Sequence, residues 1–388
     1  MTTTTHTTHL TKTGERTHAI HAGLPHPTAG EPALPGPVFA AHYTVPGEPA
    51  ASPYTYGRDG NPTWTLLEAA LGELELPGEA VETILFSSGM AACSGVLFSQ
   101  LGAGEAVVLP DDGYHGLSLL AERLAAFGVE VRRAPTAGDA QLELLDGARL
   151  LWIESPSNPG LDVCDIRRLT EAAHAAGALV AVDNSLATPL GQRPLELGAD
   201  FSVSSGSKQL TGHADLLLGH VSCRSPELAA AVRTWRKAAG AIPGPMEAWL
   251  GHRSLATLVP RLTQQSANAL ALAEFLAGRP EVTGVRHPGL PGDPAHELAR
   301  TQMRRFGCVV SFELPDRAHA ERFLAALNRV EEATSFGGVR STAERRARWG
   351  GGAVPEGFIR FSAGAEDTAD LLADVHQALD TAATGARP

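Results

Sequence analysis

Short apolar segments that each end in a polar turn constrain the fold of this chain more than any other feature. Four of them read "ETILFSSG", "EAVVLPDDGYHG", "ARLLWIESPSNPG" and "ALVAVDNS". Helical patterns such as "LSLLAERLAAFG" and "IRRLTEAAHAAG" lie between them. Because the strand-like runs are continuously apolar rather than alternating, they predict a buried, mainly parallel sheet of an α/β fold.

Polar side chains fall where these strands end. They are Ser87–Gly89, Asp111–Tyr114, Glu154–Asn158 and Asp183–Asn184, and the run "ADFSV" leads into Ser204–Lys208. In parallel sheets the ligand binds beyond the carboxyl ends of the strands. The pattern therefore predicts one site to which all five turns contribute.

Lys208 is one of only three lysines, with Lys12 and Lys237, in a chain with 31 Lys+Arg. A lysine in a desolvated, cation-rich site has a lowered pKa and can act as a nucleophilic amine, which arginine cannot do. A solvated lysine in a surface turn is the alternative, and taken alone it is the more common case.

Asp183 and the serines near it in the predicted site also allow both a structural and a ligand-binding interpretation. A carboxylate that ends a buried strand can cap the next turn, or it can hold the ring nitrogen of a pyridine protonated. "SSGMAA" places Ser88, Gly89 and Met90 at a strand-to-helix turn that favours an anion, although a helix N-cap explains a single serine equally well. Ser205 and Ser207 could donate to the same anion.

Four further residues are candidates for binding. Tyr56 and Arg58 in "YGRDGNPT" form a possible phosphate clamp, and Tyr114 could stack on a ring or transfer a proton. Arg360 lies in the apolar run "IRFSAG", where a buried guanidinium needs an anion such as a substrate carboxylate.

Composition argues against several classes of function. The formal net charge is -12, which argues against nucleic acid or an anionic membrane as partner. No apolar run reaches the length of a membrane span, and the N-terminus lacks a secretory pattern. Four widely spaced cysteines predict reduced thiols in a cytoplasmic protein. His6, His9, His18 and His21 lack carboxylate or cysteine partners, so no metal site is predicted, and "LGAGEA" lacks the third glycine of a dinucleotide loop.

Three regions are predicted from the change in pattern along the chain. Residues 1–55 read as an N-terminal arm, 56–245 as the larger domain with the sheet, and 246–388 as a smaller α+β C-terminal domain. The last region has long helices and two strand patterns, "GCVVSFEL" and "GFIRFSAG".

Eight motifs in order resemble those of the Cys/Met-metabolism family of pyridoxal phosphate (PLP) enzymes of fold type I. They are "YGRDGNPT", "SSGMAA", "DDGYHG", "ESPSNP", "VDNSLATP", "SSGSKQLTGH", "TSFGGVRS" and "IRFSAG". The family includes cystathionine γ-lyase, cystathionine γ-synthase and methionine γ-lyase. The resemblance implies a PLP-binding domain over 56–245, an arm that makes contacts between subunits, and a homo-oligomer, commonly a tetramer of catalytic dimers.

The resemblance also implies individual roles. Lys208 matches the Schiff-base lysine, Asp183 the partner of the pyridinium nitrogen, and Tyr114 the ring-stacking tyrosine. The other implied cofactor positions are Ser88, Gly89, Met90, Ser205 and Ser207 at the phosphate, Asn158 near the phenolic oxygen, and Tyr56 and Arg58 reaching the neighbouring subunit's phosphate. Ser341 and Arg360 match positions that hold the substrate α-carboxylate.

The departures from the family pattern concern the substrate pocket. Thr55 and Arg340 stand where glutamates are common, Leu119 replaces an arginine, and Gly116 replaces the cysteine of methionine γ-lyases. "ERRARWGGG" replaces the usual histidine-containing stretch. Arg340 could favour a distal carboxylate or form a structural salt bridge, and both alternatives stay open.

The activity implied is γ-elimination on a sulfur amino acid, with cystathionine giving cysteine, 2-oxobutanoate and ammonia. The alternative is γ-replacement on an O-acyl-homoserine, and methionine γ-elimination is less favoured. A catalytically silent scaffold of the same fold is a further hypothesis, against which the presence of Lys208, Asp183 and Arg360 argues.

Overall fold

The computed structural model describes residues 13–350 and 354–384, so His6 and His9 lie outside the described residues. The helices and strands, in chain order, are α1 (Glu15–His21), α2 (Pro62–Glu75), β1 (Glu82–Phe86), α3 (Gly89–Gln100), β2 (Ala106–Pro110), α4 (His115–Ala126), β3 (Glu130–Ala134), β4 (Ala148–Glu154), α5 (Ile166–Ala175), β5 (Leu179–Asp183), α6 (Thr188–Gly191), β6 (Phe201–Ser205), β7 (Gly219–Cys223), α7 (Pro226–Ala239), α8 (Pro245–Leu255), α9 (Leu258–Ala277), β8 (Thr283–Arg286), α10 (His296–Gln302), β9 (Val309–Glu313), α11 (Arg317–Ala326), β10 (Glu331–Glu332), β11 (Thr342–Arg345), β12 (Phe358–Ser362) and α12 (Thr368–Thr384).

The larger sheet has seven strands in the order β1-β7-β6-β5-β4-β2-β3. The run from β6 to β3 is parallel throughout, as the continuous apolar pattern predicts. Strand β7 is antiparallel to both its neighbours. It follows β6 through a connection without a regular helix, which reverses the chain beside β6 rather than crossing over it. The predicted α/β fold with a mainly parallel sheet is confirmed.

Both faces of the larger sheet are covered by helices. In β2, Val107 and Leu109 pack in a core cluster with residues of α3 and α4, while Val108 packs in a second cluster with residues of α5. Since successive side chains of a strand point to opposite faces, a strand covered on both sides is apolar at every position. This double burial is the physical reason for the continuous apolar runs in the sequence.

The smaller sheet has five strands in the order β10-β11-β12-β9-β8. Helices α9, α11 and α12 pack on it around a core that includes Phe312 of β9 and Phe361 of β12. The sequence pattern predicts only these two strands. The other three strands are short and carry charged residues, such as Glu331 and Glu332 of β10, so they lack an apolar pattern.

Helices α8 and α9 connect the two parts of the molecule. Ala248 of α8 and Leu258 of α9 belong to the same core cluster as Trp64 and Leu67 of α2. The chain beyond residue 245 therefore begins by packing against the larger sheet's helices. The division of the chain at residues 55 and 245 stays a prediction.

The described ranges contain no helix long and apolar enough to cross a membrane. All four cysteines are buried and free.

Candidate active site

A cavity of about 250 Å³ lies at the carboxyl ends of the parallel strands. Its wall combines the five predicted turns with residues of the smaller sheet and its loops, such as Phe336 and Arg360. The predicted residues that line it are Ser88, Gly89, Met90, Tyr114, Asn158, Asp183, Ser205, Ser207, Lys208 and Arg360. The structure thus brings together most of the side chains that the sequence pattern places at one edge of the sheet.

Lys208 faces into this cavity. Its Nζ donates a hydrogen bond to Ser335 Oγ at 2.7 Å and lies 5.1 Å from the ring centre of Phe336. Burial, followed by the charge of Arg360, lowers the pKa of Lys208 from 10.5 to about 8. The side chain therefore offers a neutral amine near physiological pH, which a solvated surface lysine does not.

Two carboxylates lie side by side at the end of the sheet. The register of β4 and β5 pairs Glu154 with Asp183, and Ser185 N donates to Asp183 Oδ1 at 3.0 Å. Burial raises the pKa of Asp183, and burial together with Asp183 raises that of Glu154 well above its usual value. Asp183 does cap the following turn, yet a half-buried carboxylate of this kind also gains from a cation held against it.

The start of α3 could hold an anion. Ser88 is the N-cap, and its Oγ accepts from Ala91 N at 3.1 Å, while the N–H groups of Gly89 and Met90 begin the helix and have no intrahelical acceptor. A Cβ added to Gly89 would lie 2.7 Å from the Cβ of Ser205. Glycine is therefore required for the helix start to approach β6 so closely.

The two serines beside the lysine differ in their surroundings. Ser207 Oγ accepts from Leu218 N at 2.9 Å and donates to Leu218 O at 3.2 Å. Ser205 is held through its backbone, because its N–H donates to Ser185 Oγ at 2.7 Å. The Ser205 hydroxyl is therefore the better placed of the two to donate to an anion.

Glu154 also positions Tyr114 and Asn158. Its Oε2 accepts from Tyr114 N at 2.8 Å and its Oε1 accepts from Asn158 N at 2.9 Å. Burial raises the pKa of the Tyr114 phenol, which therefore stays neutral at physiological pH. A Cβ added to Gly116 would lie 2.5 Å from the Tyr114 ring, so the ring's position depends on that glycine.

Arg360 crosses from β12 to the cavity. Its Nη1 donates to Asn158 Oδ1 at 2.9 Å, and its Nη2 donates to Ser335 O at 3.0 Å and to Glu344. Burial lowers the pKa of Arg360 to about 10, so the guanidinium remains charged at neutral pH. A buried, charged fork of this kind can bind a carboxylate.

Two predicted substrate residues lie away from the cavity. The Arg340 side chain is 71% exposed and approaches Glu331 at 3.6 Å, which corresponds to the salt-bridge alternative. Ser341 is buried, its Oγ donating to Glu366 Oε2 at 2.9 Å and accepting from Gly364 N at 2.8 Å. The structure brings neither residue to the position expected for a substrate ligand.

The predicted clamp lies on the outer surface of the chain. Tyr56 is exposed, and the guanidinium of Arg58 lies 5.5 Å from the centre of its ring. Both residues line a separate surface depression with Trp64. Leu119 is exposed on α4 and does not line the cavity either.

Sequence reasoning missed several residues of the site, among them Ser335, Phe336 and Arg346, which line the cavity, and Glu344, which contacts Arg346 and Arg360. The motif "TSFGGVRS" contains two serines, and only the first reaches the cavity. Ser335 has a φ of 85°, a left-handed conformation that is rare outside glycine and often marks a functional turn. No spacing rule separates Arg346 from the other arginines of "ERRARW".

The arrangement fits a flat ring that carries a phosphate. Asp183 could face a ring nitrogen, the start of α3 with Ser205 could take the phosphate, Tyr114 could cover the ring, and Lys208 could reach an aldehyde. Because Gly89 has no side chain, the start of α3 lies close enough to Ser205 for both to reach one anion.

Comparisons with known proteins agree with this fit. A protein of Streptomyces coelicolor named "Putative cystathionine gamma-lyase" is 70% identical over 368 residues, which cover 95% of this chain and 94% of the relative. Cystathionine gamma-synthase of Mycobacterium tuberculosis is 40% identical, with 96% and 98% of the two chains covered. The crystal structure of cystathionine gamma synthase from Xanthomonas oryzae pv. oryzae superposes with a TM-score of 0.91 at 35% identity, over 96% of this chain and 100% of the other.

The family model described as Cys/Met metabolism PLP-dependent enzyme matches residues 16–380. The predicted family, fold type and cofactor are thereby confirmed. With a cavity that suits the cofactor and a match over nearly its whole length, the chain belongs to the Cys/Met-metabolism family of pyridoxal phosphate-dependent enzymes.

Proposed function

We propose that this enzyme catalyses γ-elimination on cystathionine. Cystathionine and water give cysteine, 2-oxobutanoate and ammonia. The observation that carries this proposal is the 70% identity, over 95% of the chain, to the Streptomyces coelicolor protein with the γ-lyase name. The reaction breaks the Cγ–S bond, and the chain's residues have to supply the proton transfers that make this possible.

The geometry of the cavity supports the proposed cofactor-binding roles. Bound pyridoxal phosphate supplies an aldehyde for amines and a ring that withdraws electrons from the substrate Cα. Asp183 would keep the ring nitrogen protonated, and Ser185 orients that carboxylate. The start of α3 and Ser205 would hold the phosphate, with Ser207 supporting the same turn through Leu218. Asn158, on the loop that follows β4, lines the same cavity and would lie near the ring.

Lys208 and Tyr114 move the protons. With pyridoxal phosphate bound, Lys208 would take the proton from the substrate Cα, and a pKa of about 8 suits an amine base. Ser335 Oγ accepts a hydrogen bond from Lys208 Nζ at 2.7 Å, which restricts the rotamers of the lysine side chain. Tyr114 lines the cavity as a neutral phenol, and it would donate a proton to the leaving sulfur.

Arg360 receives the substrate α-carboxylate. Its guanidinium is already fixed by Asn158 and the Ser335 carbonyl, so its rotamer needs no ordering when substrate binds. A charged hydrogen bond from Arg360 to the α-carboxylate also helps to fix the orientation of the Cα–H bond toward Lys208.

γ-Replacement on an O-acyl-homoserine is the second candidate. The relatives from Mycobacterium tuberculosis and Xanthomonas oryzae, named as γ-synthases, support it. Elimination and replacement use the same amine, phenol and guanidinium. The difference is whether Cγ takes up a proton after the leaving group departs, as in elimination, or a thiol adds there, as in replacement.

The test offers purified holoenzyme cystathionine, methionine, homocysteine and O-acyl-homoserines, each with and without a thiol. Formation of 2-oxobutanoate and cysteine from cystathionine alone is the expected result. A thioether formed from an acylated homoserine and cysteine, with no 2-oxobutanoate from cystathionine, would replace the lyase proposal by the synthase one.

The same family membership supports a cytoplasmic homotetramer built from catalytic dimers. Tyr56 and Arg58 are exposed and lie outside this chain's own cavity, as residues that serve a neighbouring subunit would. A mixture of inactive Lys208→Ala and Arg58→Ala subunits, unfolded and refolded together, should recover about a quarter of wild-type activity, because half of random dimers contain one intact site. No recovery above the two separate variants would contradict a shared site.

A further inference from the structure

Arg346 is a buried cation in the active-site wall to which no role is yet assigned. It begins the short 3-10 turn Arg346–Trp349 after β11, and its side chain is only 9% exposed. Its Nη1 donates to Glu344 Oε1 at 3.0 Å. Its Nε is buried and has no acceptor among the described residues. A buried guanidinium with an unused donor is costly unless an anion completes it.

Glu344 cannot be that anion. Its Oε1 already accepts from Arg346 and Arg360, and its Oε2 accepts from Trp349 Nε1 at 2.8 Å. Burial alone would raise the pKa of Glu344, but the Arg360 charge and these hydrogen bonds hold it below the usual value. The carboxylate is therefore ionised and has its acceptor positions occupied by other donors, so it fixes Arg346 without satisfying it.

Arg346 lines the cavity together with Tyr114 and His115. Burial lowers the pKa of His115, and the charge of Arg346 lowers it further, ahead of that of Arg360. For Tyr114, Arg346 likewise opposes the rise caused by burial more strongly than Arg360 does. The acidic residues of the cavity wall, Glu154 and Asp183, lie at the end of the sheet instead.

We propose that Arg346 binds a carboxylate at the far end of the substrate's γ-substituent. This inference rests on the proposed function for the reaction itself, and it adds the substrate class: amino acids with two carboxylates. Cystathionine and O-succinylhomoserine belong to that class, whereas methionine and O-acetylhomoserine do not. Because Arg346 and Arg360 meet on one Glu344 oxygen, a substrate held by both is bent rather than extended.

A matched pair of substrates isolates the second carboxylate. In the absence of thiol, O-succinylhomoserine and water give 2-oxobutanoate, ammonia and succinate. The Cγ–O bond breaks, its electron pair leaves with succinate, and water supplies the oxygen of the oxoacid. O-acetylhomoserine undergoes the same reaction with acetate as leaving group, so the two substrates differ in the distal carboxylate and not in the bond that breaks.

In the holoenzyme, Arg346→Met should lower kcat/KM for O-succinylhomoserine about 30-fold, the typical value of a lost charged hydrogen bond, and leave that for O-acetylhomoserine within about threefold. Arg346→Lys should lie between Arg346→Met and wild type. Arg348→Met is the matched control: Arg348 lies on the same turn and also approaches Glu344, at 3.4 Å, but does not line the cavity. Arg348→Met should leave the ratio of the kcat/KM values for the two substrates unchanged.

An equal loss of kcat/KM for both substrates would overturn the inference. It would mean that Arg346 acts only on Glu344, keeping this carboxylate from pulling Arg360 away from the substrate α-carboxylate. A binding measurement separates this test from the proposed function. L-2-aminosuberate and L-2-aminoheptanoate have equal chains without a γ-leaving group, and binding of either changes the visible absorbance of the holoenzyme.

Wild type should bind the diacid more tightly, and Arg346→Met should remove that preference. This result supports the inference even if no substrate yields 2-oxobutanoate, in which case the proposed function alone fails. Equal affinity of wild type for the two amino acids would overturn the inference even if cystathionine is cleaved.

Discussion

Burial and Arg360 lower the pKa of Lys208 to about 8, and this has a direct consequence for how fast the apoenzyme captures its cofactor. Only the neutral amine adds to an aldehyde. At pH 7.5 about a quarter of the Lys208 side chains are neutral, against about one in a thousand for a lysine of ordinary pKa. The amine is therefore about 200-fold more available at that pH than a solvent-exposed lysine.

The rate of capture should follow this titration. Pyridoxal phosphate is removed from the enzyme, the apoenzyme is mixed with fresh cofactor between about pH 6 and pH 10, and the visible absorbance of the lysine-bound form is followed. Because the reactive form is the deprotonated one, the second-order rate constant should rise with pH and level off above about pH 8. A rate that keeps rising tenfold per pH unit through pH 10 would show that Lys208 is not desolvated as described.

Two variants test the electrostatic part of the reasoning. Arg360 lowers the pKa of Lys208 and Glu344 raises it. Arg360→Met should therefore move the midpoint of the rate profile to higher pH, and Glu344→Gln should move it to lower pH. Midpoints that move in the same direction would mean that a change of packing, rather than charge, sets the pKa.

Further predictions concern the other groups. Lys208→Ala should abolish 2-oxobutanoate formation while leaving the circular dichroism spectrum unchanged, and residual turnover near wild type would refute the role of the amine. Asp183→Asn should keep bound cofactor but lower kcat about 100-fold or more, since a neutral amide holds the ring nitrogen proton poorly, and a kcat near wild type would contradict this. Burial lowers the pKa of His287 from 6.5 to about 4. Below about pH 6.5 the unfolded chain therefore binds a proton at this residue that the folded chain does not bind. The free energy of unfolding should fall by up to about 3 kcal/mol as the pH falls from 6.5 through 4. His287→Asn should show a smaller fall in melting temperature between pH 7 and pH 5 than wild type, and equal falls would refute this assignment.

Most of the larger sheet, and the part of the site at its strand ends, can be predicted from the sequence. The carboxyl ends of parallel strands meet at one edge, so a polar turn after each apolar run locates Ser88, Asp183 and Lys208 together without any knowledge of the helices. Lys208 is further distinguished by composition, because the chain elsewhere uses arginine for positive charge.

The opposite wall of the site could not be predicted in the same way. It comes from the smaller sheet, and the direction of its side chains depends on tertiary packing rather than on a local period. In "TSFGGVRS" the left-handed turn at Ser335 points the first serine inward, while Ser341 packs against Glu366. In "ERRARW" the 3-10 turn points Arg346 inward, and Arg340, six residues earlier, lies in solvent.

The two hydrogen bonds that Glu154 accepts affect which positions of the site can change during evolution. Both donors are backbone N–H groups, at residues 114 and 158, so the side chains at those positions can be replaced while the loops keep their places. Position 154 has no such freedom, because a shorter or apolar residue there would release both loops together. Gly113 is similarly restricted, since a Cβ there would lie 2.8 Å from Glu154 Oε2. We therefore expect residues 113 and 154 to stay unchanged in this scaffold, while substrate preference diverges through loop side chains that have no part in the proton transfers.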